Sequence, residues 1–394
     1  MKQILNICPY TYYRNEQFMK DCILLPYTFS KLFDFQTVIV TAQREEYTYL
    51  DLLPGLLVEV VPAAETPEQW TEFACDYIRQ NYSKIDLLFC FGSYDTNRRI
   101  IPLYKELRPE GKVILKLDIN SGWADRLSLG IPELRTMYEN CDLITCESKR
   151  LKKLLSEKWP YRIEYLVNGY LEDIARLKPV SYKEKENIIL TVGRIGLKEK
   201  ANHILMEAFA KCADRYPAWK VKLVGGIEPT FQNYIKEFFR RYPQLEGRII
   251  FTGKILDKEL LNEEYKRAKV FAITSIVEGG TPNVFSEAAR NGCYMISSRI
   301  DAVDEFTNWE QCGVSFPKND VDELARKFNT VLNDRYDAIM ENCCYDVQEY
   351  HRRYFDYKKM VRKLMHLLEL KDQITTQEYR EGQDAAGFSE SIYK

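Results

Sequence analysis

Glu278 and Glu287 flank a run of small and turn-forming residues, Gly279-Gly280-Thr281-Pro282-Asn283-Val284, which follows an apolar stretch and opens a periodic one. That order predicts strand, turn, helix. Thr281 suits the N-cap, and Pro282 suits the first helical position, where its missing N–H costs nothing. Gly279 and Gly280 permit close backbone approach. The N–H groups near Asn283 and Val284 then point outward with the positive end of the helix dipole behind them, an anion site suited to a diphosphate. Carboxylates beside a diphosphate are unwelcome unless they hold something else. Sugar hydroxyls are the natural partners, because ionised carboxylates accept strong hydrogen bonds from them.

Upstream, Gly193-Arg194-Ile195-Gly196-Leu197-Lys198-Glu199-Lys200 follows another apolar run. Two fixed cations there can neutralise the charge that develops on a departing diphosphate. Arg194 is one. Lys198 and Lys200 are both candidates for the second; lysines merely exposed at a helix start are the plain alternative.

Together these stretches resemble the signature of the family 4 retaining glycosyltransferases, which have the GT-B architecture: α/β, with two Rossmann-like doubly wound domains facing across a cleft. The resemblance implies that Glu278 contacts the donor sugar, that Glu287 binds the ribose, and that Gly193, Arg194 and Lys200 hold the diphosphate with the 279–284 turn. Lys200, just before the next helix, fits this resemblance better than its rival Lys198. Eight residues separate the two acids, one more than is usual in the family. Gly225, in the turn after 220–224, borders the nucleotide by the same resemblance, or serves a tight turn alone. Lys254 falls where the family places residues near the base. The likeness covers nearly all of 186–335 and is weaker over 1–172, where Val167-Asn168-Gly169 resembles the turn closing the first domain. That domain has no glycine pair after its first strand and no histidine; His203, His351 and His366 all come later, on predicted helices. Asp118, at the end of a strand, is the positional counterpart of the histidine many members use, and reads equally well as a turn aspartate before Asn120-Ser121-Gly122.

What this implies is transfer of a sugar from a nucleotide-sugar donor to a carbohydrate or lipid-linked acceptor with retention, with no protein nucleophile, no metal and no cofactor. Surface polysaccharide assembly is the setting the family suggests. The divergent first domain supports a second reading, a GT-B-shaped binding or regulatory partner that has lost catalysis. The absence of Gly-x-Gly-x-x-Gly after the first strand weakens a nicotinamide-cofactor reading. Asp320-Val321-Asp322 has metal-pair spacing but begins a helical stretch, where acids complement the dipole.

The elements that must position these residues alternate along the chain. Strands are predicted over 3–7, 37–40, 57–61, 87–91, 113–117, 143–145 and 163–166, then over 188–192, 220–224, 248–251, 270–273 and 294–297. Several are continuous apolar runs, as in parallel sheets covered on both faces. Helical stretches fall between them, including 67–80, 96–107, 203–216, 231–242 and 259–268. The organisation expected is an acceptor-binding domain over 1–172, a polar linker over 173–185 and a donor-binding domain over 186–340. Helices over 341–371 then return toward the first domain, and a mobile tail spans 372–394.

At 394 residues, two domains are the natural expectation. The balance of 56 basic and 58 acidic residues, net −2, lacks the positive field that nucleic-acid binding needs. A local basic face, Lys149, Arg150, Lys152, Lys153 and Lys158, reads as a solvated helix face or as a peripheral contact with an anionic membrane or acceptor. The 11 cysteines are scattered without CxxC spacing, and no secretory signal opens the chain, so reduced cytoplasmic thiols are expected. No apolar run approaches the roughly 20 residues needed to span a bilayer.

Overall fold

The computed structural model describes residues 2–62, 64–124, 126–172 and 178–368. The chain forms two compact units, dividing at Arg176/Leu177 and again at Arg353/Tyr354, after which it rejoins the first unit.

The first unit is built on a seven-stranded parallel sheet: β1 (Lys2–Ile7), β2 (Phe35–Ala42), β3 (Leu57–Val61), β4 (Leu87–Phe91), β5 (Lys112–Lys116), β6 (Leu143–Cys146) and β7 (Ile163–Tyr165). Their spatial order is β3-β2-β1-β4-β5-β6-β7. The second unit carries β8 (Glu186–Val192), β9 (Lys220–Val224), β10 (Ile249–Gly253), β11 (Ala268–Ile273), β12 (Tyr294–Ser298) and β13 (Gly313–Phe316), ordered β10-β9-β8-β11-β12-β13. Both are doubly wound Rossmann-like sheets, and each reverses its strand order beside its first strand, between β1 and β4 and between β8 and β11. Ligands of such sheets bind outside the carboxyl ends of the strands at that reversal.

Continuous apolar runs make the central strands. Ile4, Leu5, Leu87, Leu88 and Phe89, and in the second unit Ile189, Leu190, Val270 and Phe271, are wholly or almost wholly buried. β13 escapes the sequence reading because it is four residues long and opens on glycine. A Cβ at Gly313 would lie 2.5 Å from the Met295 carbonyl oxygen, so close strand approach selects glycine there. The helix Asp21–Leu32 escapes it too, since Pro26 in its interior reads as a breaker.

The polar segment expected as a linker is packed over its described part, 178–185. Val180 and Tyr182 are buried, and the Lys185 ammonium donates to the carbonyls of Ala268 (2.9 Å) and Asn291 (2.7 Å). Lysine and tyrosine supply long apolar stems, which a count of polar residues overlooks. The C-terminal helices expected to return to the first domain are two, Asp337–Tyr354 and Tyr357–Leu367; the first packs with the second unit and the other with the first. Asp356 caps the latter by accepting from Lys358 N at 3.0 Å. The Tyr170 and Tyr357 backbones bond to Phe355 and Tyr170 at 3.1 and 2.8 Å, fixing the returning chain against the end of β7. A Cβ at Gly169 would sit 1.9 Å from the Phe355 oxygen, so that crossing requires glycine. Residues 173–177 and the 372–394 tail lie outside the described residues.

In the second unit two loops lie flat on each other at the strand ends. Gly193 N–H donates to Val224 O and Gly225 N–H to Gly253 O, each at 2.9 Å. Gly225 has φ 146°, and a Cβ on it would stand 1.7 Å from the Gly193 oxygen. Gly225→Ala is therefore expected to destabilise the second unit by at least ~2 kcal/mol. Gly226→Ala, with nothing within 4 Å of its Cβ, should stay within about 1 kcal/mol of the parent. Chemical denaturation of the two variants checks this; equal stabilities would contradict it.

Candidate functional site

At the order reversal of the second sheet, the loops after β8 and β11 line a small pocket that opens to solvent. Gly193, Arg194 and Lys200 line it from one side, and Thr274, Ser275, Glu278 and Val284 from the other.

Each side is held by its own backbone. After Gly193 the chain pairs with the β9 loop, Ile195 N–H donating to Gly226 O at 2.9 Å. Gly196, at φ 92°, gives its N–H to Asn202 Oδ1 at 2.8 Å. A short turn, Lys198–Lys200, then reaches Ala201 in the left-handed region (φ 45°), where the helix Asn202–Ala210 begins. Two bonds tie this turn to the loop after β11: Ile276 N–H to Glu199 O at 2.8 Å, and Thr274 Oγ1 to Lys200 O at 3.0 Å.

The central contact joins the two loops. Lys200 Nζ lies 2.6 and 2.7 Å from the two oxygens of Glu278, and Ser275 Oγ donates to Glu278 Oε1 at 2.5 Å. Both side chains are largely shielded, with 25% and 13% of their surface exposed. Removing either one would leave a part-buried charge without its main partner, the costly way to break such a pair. Arg194 differs: its side chain is 66% exposed and meets Glu199 only at 3.6 Å, leaving the guanidinium able to swing onto an anion. Lys198 is exposed and does not line the pocket.

The helix after β11 spans Asn283–Arg290. It starts one residue later than the sequence suggests: Pro282, at ψ 124°, is the N-cap, and Thr281 precedes it. Phe285 N–H already bonds to Pro282 O, so Asn283 and Val284 carry the first two N–H groups of the helix, at its positive end. Gly279 is exposed and Gly280 half-buried in the preceding turn. Glu287, further along the helix, accepts from Tyr265 Oη at 2.7 Å, with Lys258 Nζ at 3.5 Å from its other oxygen. Burial, then the Glu287 charge, raises the Tyr265 pKa well above its ordinary value, so this phenol stays a proton donor. Lys254, after β10, is exposed.

Behind the helix, Ser286 Oγ and His351 Nε2 are 2.9 Å apart. His351 is fully buried; desolvation, reinforced by Arg290, holds its pKa well below the ordinary histidine range. Neutral imidazole there serves packing. Asp320 caps the helix Val321–Val331 by accepting from Glu323 N at 2.8 Å. Among the described residues no cluster of three or more His, Cys, Asp or Glu is arranged to hold a metal.

Asp118 belongs to the first unit, in the half-buried loop after β5. Beside it is a feature the sequence reading missed. Lys116, the last residue of β5, is wholly buried, with its ammonium 2.7 Å from Asp21 Oδ2 and in contact with Glu147 Oε1. Burial opposes the Lys116 charge, but Asp21 and Glu147 outweigh it and hold its pKa above the ordinary value. Glu147 is pushed up to about 8, by burial first, with Lys116 pulling down and Asp21 and Asp118 adding upward pressure. Only a lysine closing the apolar run Val113-Ile-Leu-Lys116 hints at this in the sequence.

Residues 186–334 match the family described as Glycosyl transferases group 1. The chain is similar to Protein CapJ of Staphylococcus aureus, 26% identical over 204 residues, 48% of each chain. It thus spans about half the length of that curated relative. Among solved structures it is similar to Anabaena Alr3699/HepE in complex with UDP, at TM-score 0.70 and 16% identity, covering 94% of this chain and all of that one. It is also similar to the lipopolysaccharide outer core galactosyltransferase WaaB, at TM-score 0.63 and 14% identity, covering 89% and 97%. The fold is the two-domain GT-B architecture, and the stretch that matches the group 1 glycosyl transferases lies within the second unit.

A carboxyl whose pKa is higher folded than unfolded binds its proton more tightly in the native state. Through Glu147, stability therefore falls as pH rises from the ordinary carboxyl range toward about 8 and levels off above it. Glu147→Gln, which keeps the shape and cannot ionise, should flatten that decline. Denaturation midpoints measured from pH 5 to 9 check this; a mutant profile parallel to the parent's would contradict it.

Proposed function

We propose that this chain is a retaining glycosyltransferase. It moves a sugar from a nucleoside diphosphate sugar to a carbohydrate or lipid-linked acceptor in surface polysaccharide assembly. The observation that carries the proposal is the pocket at the second sheet's reversal. It combines an exposed guanidinium, a paired ammonium and carboxylate, and the start of a helix.

Before the donor arrives, Lys200 and Glu278 neutralise each other, so neither pays for burial as an isolated charge. A donor brings both replacements at once. Its diphosphate takes the ammonium, with Arg194 and the Asn283 and Val284 N–H groups, and its sugar hydroxyls take the carboxylate. Glu287, steadied by Tyr265, accepts from the ribose hydroxyls, while Gly193 and Gly225 let the backbone come close to the nucleotide and Lys254 lies toward the base. As the anomeric C–O bond lengthens, charge gathers on the departing phosphate oxygen, where these cations and dipoles already point. That oxygen takes the acceptor's proton on the same face, and configuration is retained. In this reading Arg194, Lys200 and the helix start supply the positive charge a metal would otherwise bring, and Asp118 acts on the acceptor side. The basic helix Lys149–Lys158 offers a peripheral contact with an anionic membrane, since among the described residues no helix is long and apolar enough to cross one.

UDP is the first base to test, because the similar Anabaena protein was solved with it. UDP-, GDP- and ADP-sugars are compared by thermal shift, where a true donor raises the melting temperature by mass action. Arg194→Ala and Glu287→Ala are each expected to lose at least ~10²-fold in transfer or donor hydrolysis, the scale of a preorganised electrostatic contact. Activity should persist in excess EDTA. Near-parental rates in both variants would reject the site.

A further inference from the structure

The order reversal of the first sheet presents a different chemistry. Tyr94, just after β4, is a large aromatic residue left 38% exposed, and its ring is held in place from beneath. It packs edge-on against Tyr10, which follows β1, with centroids 5.3 Å apart at 68°; Tyr10 packs in the same way against Tyr13 at 5.8 Å and 83°. Tyr13 is fully buried, and its hydroxyl donates to Asn6 Oδ1 at 2.7 Å. Asn6 in turn donates to Phe89 O at 2.9 Å, joining β1 to β4.

The turn that carries Tyr94 is built for that ring. Gly92 has φ 72°, and a Cβ on it would stand 2.3 Å from Tyr94 Cε2, so the ring lies in the space where a side chain is missing. Buried Asn97 locks the turn by donating to Phe91 O and Gly92 O, each at 2.8 Å. Gly92 N–H donates to Lys116 O at 2.8 Å, which sets the loop of Tyr94 beside the loop of Asp118, and burial followed by the Asp118 charge lifts the Tyr94 hydroxyl to about 12. Beneath Asp118 sits the Lys116, Asp21 and Glu147 cluster, with two carboxylates to one ammonium.

A rigid aromatic face beside carboxylates, at the place where an open α/β sheet binds its ligand, calls for a ligand with an apolar face and hydroxyl edges. We propose that Tyr94 and Asp118 form a pyranose subsite. The ring of a neutral sugar stacks its C–H face on Tyr94, and its hydroxyls donate to Asp118. Identification of that sugar as the acceptor rests on the transferase reading above; the subsite itself does not.

Saturation-transfer NMR on the full chain, without nucleotide, tests it with methyl α-glucopyranoside, methyl β-galactopyranoside and methyl N-acetylglucosaminide as probes. At least one should bind, with transfer concentrated on one C–H face. Tyr94→Trp should keep the signal. Tyr94→Ala should lower affinity about tenfold, the loss of a stacking contact. Tyr94→Leu, which preserves bulk against Tyr10 without a flat face, guards against misfolding and should weaken binding in the same way. Asp118→Asn should weaken it too. UDP-induced thermal stabilisation, measured in parallel, should be the same in all four variants as in the parent. Absence of binding by every probe, or equal binding by the parent and both flat-face deletions, would overturn the proposal. Loss of UDP stabilisation in the parent would instead count against the donor site alone.

Discussion

The ion pair between Lys200 and Glu278 closes a loop of constraints running through the second unit. β8 and β11 are neighbours in the sheet, yet their following loops turn to opposite sides of the reversal. The backbone bonds from Ile276 to Glu199 and the Thr274 bond to Lys200 hold the two loops in register. Within that register the ammonium meets both oxygens of the carboxylate. A charge-assisted contact of this kind, shielded from solvent, is stronger than a neutral hydrogen bond. The glycine contact between residues 193 and 225 sets the stage one layer below by letting the β8 and β9 loops touch backbone to backbone. Arg194, at the rim, is left out of this network, and its exposure gives it the freedom that the pair lacks.

The two units answer one architectural problem with opposite chemistry. Both have open parallel sheets whose strand order reverses beside the first strand. In the second, the reversal is lined by cations and the start of a helix, which suits an anionic ligand. In the first, it is lined by tyrosines and carboxylates over a buried lysine. That lysine also ties three distant parts of the chain together, since Asp21 opens a helix, Lys116 ends β5 and Glu147 follows β6. Burying three ionisable groups is tolerable only because they satisfy one another and because Glu147 can keep its proton near neutral pH.

Much of this was legible in the sequence, for identifiable reasons. Short apolar-rich runs alternating with helical stretches located twelve of the thirteen strands described, most within two residues. Residue type and spacing, read with the family resemblance, single out Gly193, Arg194, Lys200, Glu278 and Val284, which together line one pocket. What could not be read was whatever depends on distant parts of the chain meeting. The pairing of Lys200 with Glu278, the seating of Glu287 on Tyr265 and the buried triad all join segments whose closeness only the topology determines. Local signals failed where one residue served two masters. Pro26 sits inside a helix, Gly313 opens a strand, and Pro282 takes the N-cap with an extended ψ instead of the first helical turn.

The most direct test of the account is a crystal structure of the chain with UDP. The account predicts the diphosphate between Arg194 and Lys200 at the start of the Asn283–Arg290 helix, the Lys200 bond to Glu278 loosened, and the ribose hydroxyls on Glu287. A diphosphate bound elsewhere, with Lys200 still closed on Glu278 and Arg194 still turned to Glu199, would contradict it.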